Sequence, residues 1–306
     1  MEESAPGHVP RRVRILQNPR SGTGTSSGNL QDRFARHWPS QDIDISWDIS
    51  RDIEDGRRKV DQAVRDGIDT ILIAGGDGMV NSIGAQLVHT PVALGVLPTG
   101  SGNGFARHFG IPLDLAKAIA VLARGRHQRI DVGTVDGRPF FVTCSLAWDA
   151  AIAQRFESFP FRGVAPYFLA AAAELITYED QPIHAVLDTH RCVEFPNPIL
   201  FTIANLSQYG GGAQIAPQAR ADDGWMELVA ALRQDLPALL VNIGRLFNGT
   251  FDQLPQVMTR RFQRLDLHRA QATPIQIDGE LVGAGRDIEV RVLPRALKVL
   301  VPADDR

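Results

Sequence analysis

Apolar residues along this chain fall into two patterns, and the change comes near residue 126. Before it, strand and helix signals alternate. Residues 13–16 read as a strand that Asn18-Pro19-Arg20-Ser21-Gly22 breaks. A helix is predicted over 30–38, and 43–49 alternates apolar and polar positions as a half-buried strand does. Residues 53–66 read as a charged surface helix, 80–88 as a helix, and 113–124 as a helix with small and aliphatic residues on one face. Residues 70–74 and 92–97 are continuous apolar runs, the signature of strands covered on both faces. Repeated units of this kind predict a parallel sheet with right-handed crossovers.

After residue 126 strands dominate, at 130–135, 139–146, 183–187, 199–204, 226–230, 271–277, 287–293 and 296–301. Predicted helices at 165–177 and 236–247 interrupt them. The fold class is therefore α/β: an N-terminal parallel-sheet domain over 1–127 and a C-terminal β-sandwich domain with inserted helices over 128–306. The segment 295–306 is free to pack back on the first domain.

Composition narrows the function classes. The 306 residues are 44% hydrophobic and 22% charged, with a formal net charge of -3. That balance gives no general pull toward nucleic acid. Cys144 and Cys192 lack zinc-ligand spacing and lie in apolar segments. They predict buried free thiols and a reducing cytoplasm. Residues 1–10 have no apolar core like that of a signal peptide. The most apolar helical stretch, 164–178, is short of the ~20 residues a bilayer span needs, and Glu174 interrupts it. Any membrane contact is then peripheral, from the water side of the inner face.

The candidate chemistry sits where the two buried strands end. One runs into Gly75-Gly76-Asp77-Gly78, the other into Pro98-Thr99-Gly100-Ser101-Gly102-Asn103-Gly104, and a helical segment follows each. Phosphates approach backbone N–H groups closely, and a Cβ would obstruct them, so glycines before a helix N-terminus suit phosphate binding. Both loops would lie at the carboxyl edge of one sheet, where open α/β sheets bind ligands. Thr99 and Ser101 offer hydroxyls, Asn103 an amide, and Arg107 a positive charge. Gly22-Thr23-Gly24-Thr25-Ser26-Ser27-Gly28 misses the dinucleotide fingerprint by one residue, and no P-loop motif occurs.

These residues resemble the diacylglycerol kinase catalytic-domain superfamily, which includes sphingosine kinases, ceramide kinases and bacterial lipid kinases. The likeness runs through Asn18-Pro19-Arg20-Ser21-Gly22, Gly75 to Asn81, and Leu97 to Arg107. It continues in Gly210-Gly211-Gly212, Pro217, Asp222-Asp223-Gly224 and Ile277-Asp278-Gly279-Glu280. The resemblance implies ATP as phosphoryl donor, Mg2+, and a lipid hydroxyl presented at a membrane as acceptor. It places Asn18, Ser46, Gly75, Gly76, Asp77, Gly78, Met79, Val80, Asn81, Thr99, Gly100, Ser101 and Asn103 around the nucleotide. It makes Glu280 the general base and gives Asp77 a part in orienting metal or hydroxyl. It implies a structural magnesium held by the Asp223 carboxylate and the carbonyls of Arg220 and Trp225, all hard oxygen donors.

Three departures stand out. Met79 replaces the family's usual Thr, Gly104 replaces a frequent Asp, and Cys144 to Asp149 replaces a glycine-containing segment. On chemistry alone, Glu280 also reads as a turn residue in a glycine-containing hairpin. Phe156, Phe159, Phe161, Tyr167 and Phe168 flank the apolar helix and suit either a core or a lipid entrance. Arg245, Arg260, Arg261, Arg264 and Arg269 form a basic stretch suited to a solvated face or to anionic headgroups. A homodimer is one assembly open to such a chain. Two other classes remain: a soluble NAD or sugar-type kinase, and a nucleotide-binding regulator without turnover.

Overall fold

The structure, a computed structural model, describes residues 12–17, 27–38, 43–148, 150 and 178–303. The loop carrying Asn18, the residue Asp149 and the aromatic cluster from Phe156 to Phe168 lie outside these residues. The chain divides into two compact units, Met1–Ile130 with Arg295–Arg306, and Asp131–Pro294.

The first unit is an open α/β sheet. In chain order it contains β1 (Arg12–Gln17), α1 (Ser27–His37), β2 (Asp44–Ile49), α2 (Ile53–Arg65), β3 (Thr70–Gly75) and α3 (Asp77–Leu87). Then come β4 (Ala93–Pro98), α4 (Gly104–His108) and α5 (Leu115–Leu122). The strands pair in parallel in the order β2-β1-β3-β4. The end of the last strand of the chain, β18 (Asp287–Val301), adds to β4 in parallel through Lys298 and Val299. Every residue of β3 and β4 is buried, as their unbroken apolar runs predict. Beneath α1 and α5 the core joins Val13, Ile15, Leu72 and Leu97 to Leu30, Phe34, Ile119 and Leu122. Phe34 stacks on Trp38 and meets the edge of Trp47, which fixes α1 against β2. Asp52 caps α2 by accepting from the Asp55 N–H at 2.8 Å.

The second unit is an antiparallel sandwich. One sheet has the order β14-β13-β10-β7-β16-β17. Its strands are β7 (Thr143–Ser145), β10 (Pro198–Ala204), β13 (Met226–Leu232), β14 (Met258–Phe262), β16 (Ile275–Ile277) and β17 (Glu280–Val282). The other sheet takes β15 (Arg264–Arg269), β8 (Ile183–Leu187) and β9 (Arg191–Phe195), with the first half of β18. β5 (Arg126–Val135), with its hairpin partner β6 (Arg138–Phe140), pairs with β18. Between the sheets Phe140, Phe201, Leu228, Phe262, Leu265 and Val290 form the core. Alternation then turns Val229 and Ala231 of β13 to the other face, where Ile215, Leu239, Phe251 and Leu254 cover them. The α/β unit and the β-sandwich unit are thus the fold class that the hydrophobic pattern predicts.

Details depart from the pattern for physical reasons. The predicted helix over 236–247 is two short helices, Leu236–Val241 and Arg245–Asn248, separated by a turn at 242–244 that holds Asn242 and Gly244. The strands predicted at 287–293 and 296–301 are one strand that passes through Pro294, with Arg295 in left-handed backbone at φ 52°. The basic stretch is not one patch. Arg269 is fully buried, Arg261 pairs with Asp223 and Glu227, and Arg264 pairs with Asp266 and Glu289. Cys144 is buried, but Cys192, on the edge strand β9, is exposed. Among the described residues no helix is long and apolar enough to cross a membrane.

Candidate active site

The register brings both glycine loops to one edge of the parallel sheet. Gly75 pairs with Pro98, so β3 and β4 end together. The Thr99 N–H donates to the Gly75 carbonyl at 3.1 Å and extends the pairing by one step. A Cβ on Gly100 would lie 2.5 Å from the Gly76 Cα, and one on Gly76 would lie 3.0 Å from the Gly100 Cα. The two loops therefore touch backbone to backbone. The glycines expected to admit a phosphate first admit each other.

Asp77 and Asn103 lock this contact. The Asp77 carboxylate accepts from the Gly104 N–H at 2.9 Å and from the Phe105 N–H at 3.0 Å, clamping the second loop to the first turn of α3. Burial raises the Asp77 carboxyl above its ordinary value, and the N–H bonds from Phe105 and Gly104 oppose that rise. Asn103 sits in left-handed backbone at φ 52°, which Asn tolerates. Its amide oxygen accepts from the Gly100 N–H at 3.1 Å and its amide nitrogen donates to the Gly100 carbonyl at 2.7 Å. The Arg107 Nε donates to the Gly102 carbonyl at 3.2 Å. The second loop is pinned from three directions.

The surface so formed suits an anion. Gly76, the N-cap of α3, has no side chain to bond the first helical N–H groups, while the Asp77 carboxylate in the first turn is turned to Gly104 and Phe105. The Thr99 hydroxyl oxygen is buried and has no hydrogen-bond partner among the described residues. A buried hydroxyl without a partner costs free energy, and a ligand oxygen would supply one. Ser101 is exposed at the tip of the loop. Gly78, Met79, Val80 and Asn81 form the first turns of α3. Val80 is committed to the core, and Met79 folds over Gly75, where a Cβ would lie 2.7 Å from its sulfur. Met79 thus puts a thioether where the family more often has a hydroxyl.

Ser46 is not at this edge. It pairs with Arg14 in mid-strand, three residues before the end of β2, which is about 10 Å back along the sheet. Its hydroxyl accepts from the Arg14 Nε at 3.2 Å, and Arg14 also meets Asp48 and Asp66. Ser50, just beyond β2, is at the edge instead: it is buried and its N–H donates to the Gln17 carbonyl at 2.9 Å.

The second unit holds the other motifs. Ile277 pairs with Glu280 across a two-residue hairpin whose central residues, Asp278 and Gly279, have φ of 48° and 92°. Two positive φ values in succession are the Asp-Gly hairpin geometry. The buried Asp278 carboxylate accepts from the Phe141 and Val142 N–H groups at 2.8 Å each and from the Thr143 N–H at 3.1 Å. Its own N–H donates to the Thr143 carbonyl at 2.9 Å. Asp278 is thus the anchor of the motif, and Glu280, two residues on, is exposed. Nothing in the sequence distinguishes these two tasks.

The Asp222-Asp223-Gly224 turn is held by Asp131, an acid buried inside β5. Its carboxylate accepts from the Gly224 N–H at 2.6 Å. Sequence reading passed over Asp131, although an acid within the apolar run Ile130-Asp131-Val132 is a signal of a buried anchor. Asp223 accepts from the Trp225 N–H at 3.1 Å and, through its other oxygen, from Arg261, whose guanidinium lies over the Trp225 ring. Arg220 extends its side chain to Asp222 at 3.7 Å. Arg261 holds one Asp223 oxygen, so a cation bound there would compete with the guanidinium. Among the described residues no group of three His, Cys, Asp or Glu side chains could hold a metal ion.

Comparison with known proteins gives the class and then the family. Solved structures share the fold. One described as a putative diacylglycerol kinase from Bacillus anthracis str. Sterne superposes with a TM-score of 0.77 at 18% identity, covering 95% of this chain and 97% of that one. Residues 12–135 match the diacylglycerol kinase catalytic domain, and residues 143–301 match the YegS C-terminal NAD kinase beta sandwich-like domain. The chain belongs to the diacylglycerol kinase catalytic-domain superfamily, a family of lipid kinases. It is 29% identical over 303 residues to the diacylglycerol kinase of Mycobacterium tuberculosis (strain ATCC 25618 / H37Rv), covering 96% of both chains. It is 27% identical over 292 residues to a probable lipid kinase YegS-like protein of Yersinia pestis (strain Pestoides F), covering 91% of this chain and 95% of that one.

Proposed function

We propose that this protein transfers the γ-phosphoryl group of ATP to a hydroxyl of a lipid such as a diacylglycerol or a sphingoid lipid. The observation that carries the donor half is the buried Thr99 hydroxyl, without a hydrogen-bond partner among the described residues, beside the first turn of α3, whose N-cap Gly76 has no side chain. Thr99, Ser101 and the first turn of α3 receive the phosphates. Asp77 and Asn103 act through the loops: they hold the backbone in place and keep the site from having to order itself around the ligand. Bound with ATP, Mg2+ would be the counter-ion of its phosphates, a hard cation that would offset their charge. A structural cation at Asp223 requires Arg261 to swing aside. Lipid as acceptor rests on the family and on the names of the two relatives.

Glu280 is the general base in this reading. It takes the proton of the lipid hydroxyl while that oxygen bonds to the γ-phosphorus, and the bond from phosphorus to the ADP oxygen breaks. Asp278 holds the hairpin that presents it.

The test offers labelled ATP with micelles of diacylglycerol, sphingosine, ceramide or phosphatidylglycerol, with NAD, and with no acceptor. Label in one lipid supports the proposal. Label in NAD alone, or in no acceptor, overturns it in favour of a soluble kinase or a regulator. Glu280→Gln, folded as judged by circular dichroism, lowers kcat by roughly 10²–10⁴-fold. Undiminished transfer would remove Glu280 from the mechanism.

A further inference from the structure

Among the described residues of the second unit four large apolar side chains are exposed, and they lie within eight residues. They are Leu240, Val241, Ile243 and Phe247, and Val241 is 85% exposed. They belong to the broken helix Leu236–Val241 and Arg245–Asn248. Its opposite side is anchored: Leu239 is buried and Leu236 and Leu246 pack with it on the outer layer of the six-stranded sheet. The segment is thus fixed by one apolar face and offers a second one to the surroundings.

Its charge pattern points to one kind of partner. Residues 236–251 contain no acidic residue, and their single ionisable side chain is Arg245. Arg245 reaches the Thr250 carbonyl at 3.4 Å and pairs with no carboxylate among the described residues. A short amphipathic segment with large apolar side chains, an aromatic ring and an arginine suits the boundary between headgroups and acyl chains of an anionic bilayer.

We infer that this segment is the membrane-docking face of the second unit, with Leu240, Val241, Ile243 and Phe247 entering the interface and Arg245 meeting anionic phosphate. The inference extends the lipid-kinase reading by naming the surface that reaches the bilayer. It can be tested apart from that reading.

The full chain is sedimented with vesicles of phosphatidylcholine, with and without phosphatidylglycerol. Wild-type protein binds and prefers the anionic vesicles. The double variant Val241→Ser/Phe247→Ser, exposed at both positions, partitions about 30-fold more weakly. Arg245→Gln loses about fivefold on anionic vesicles only. In a second measurement, Phe247→Trp shows a blue shift of tryptophan emission when vesicles are added. Binding of the double variant within twofold of wild type, or no spectral shift, overturns the inference. So does a dimer in sedimentation velocity that the double variant dissociates while vesicle binding is unchanged. Phosphorylation of a water-soluble short-chain diacylglycerol is unaffected by the double variant. Absence of that activity in both wild type and the double variant, with vesicle binding intact, would speak against the kinase reading and leave the docking face standing.

Discussion

Asp278 is where a single substitution tests the most structure. Its buried carboxylate accepts three backbone N–H groups, from Phe141, Val142 and Thr143, at 2.8, 2.8 and 3.1 Å. Asp278→Ala leaves all three donors without their acceptor. A buried donor without a partner costs about 1–3 kcal/mol. The three are adjacent, and water admitted to the vacated volume would satisfy part of them, so about 4 kcal/mol is a reasoned sum. Alanine must also hold the left-handed backbone at φ 48°, which adds about 1 kcal/mol. A loss of about 5 kcal/mol is a large part of the ~5–15 kcal/mol that holds a typical domain together. Asp278→Asn tolerates the backbone and keeps one acceptor oxygen, so it should lose about 2 kcal/mol. Urea unfolding gives the sizes, and amide exchange at residues 141–143 should accelerate in both variants. An alanine variant within about 1 kcal/mol of wild type, with unchanged exchange at those three amides, would refute the anchoring argument.

Two other changes probe the loops and the sandwich. Gly100→Ala puts a Cβ 2.5 Å from the Gly76 Cα, a backbone atom that cannot turn away. The loops must part, so ATP affinity measured by calorimetry should fall at least tenfold while the far-ultraviolet circular dichroism is kept; unchanged affinity would show that their contact does not shape the site. Glu227 is buried, and desolvation pushes it from 4.5 up to about 7 even though Arg261 lies 3.5 Å away and pulls it down. Because the folded value is the higher one, its contribution is fully present below about pH 4.5 and is lost as pH rises through 7. Measured with a chelator present, wild type should lose up to roughly 3 kcal/mol relative to Glu227→Gln between pH 4.5 and 8, and parallel curves would rule the effect out.

How much of this was legible follows from range. β3 and β4 could be read because burial on both faces leaves an unbroken apolar run. β14 and β15 could not, because Arg260, Arg261, Arg264 and Arg269 mask their alternation. Asp223 and Glu289 satisfy the charges on Arg261 and Arg264 from other parts of the chain. Ser46 was placed at the nucleotide by likeness to a motif, whereas the pairing of β1 with β2 sets it in mid-strand beside Arg14.

The glycine loops, the Asp-Gly hairpin and the two periodicities belong to the sequence itself. Each is a short-range constraint on which backbone angles and which faces a segment can adopt. The tasks within those motifs belong to the tertiary structure. Gly76 needs its missing Cβ because Gly100 comes against it, Asp77 clamps Gly104 and Phe105, and Asp278 holds the loop from Phe141 to Thr143. These partners lie between 24 and 137 residues away, counted along the chain from Gly76 to Gly100 and from Asp278 to Phe141. Local pattern carries no record of such pairs, because each forms only when packing of the core brings two distant backbones within hydrogen-bond reach.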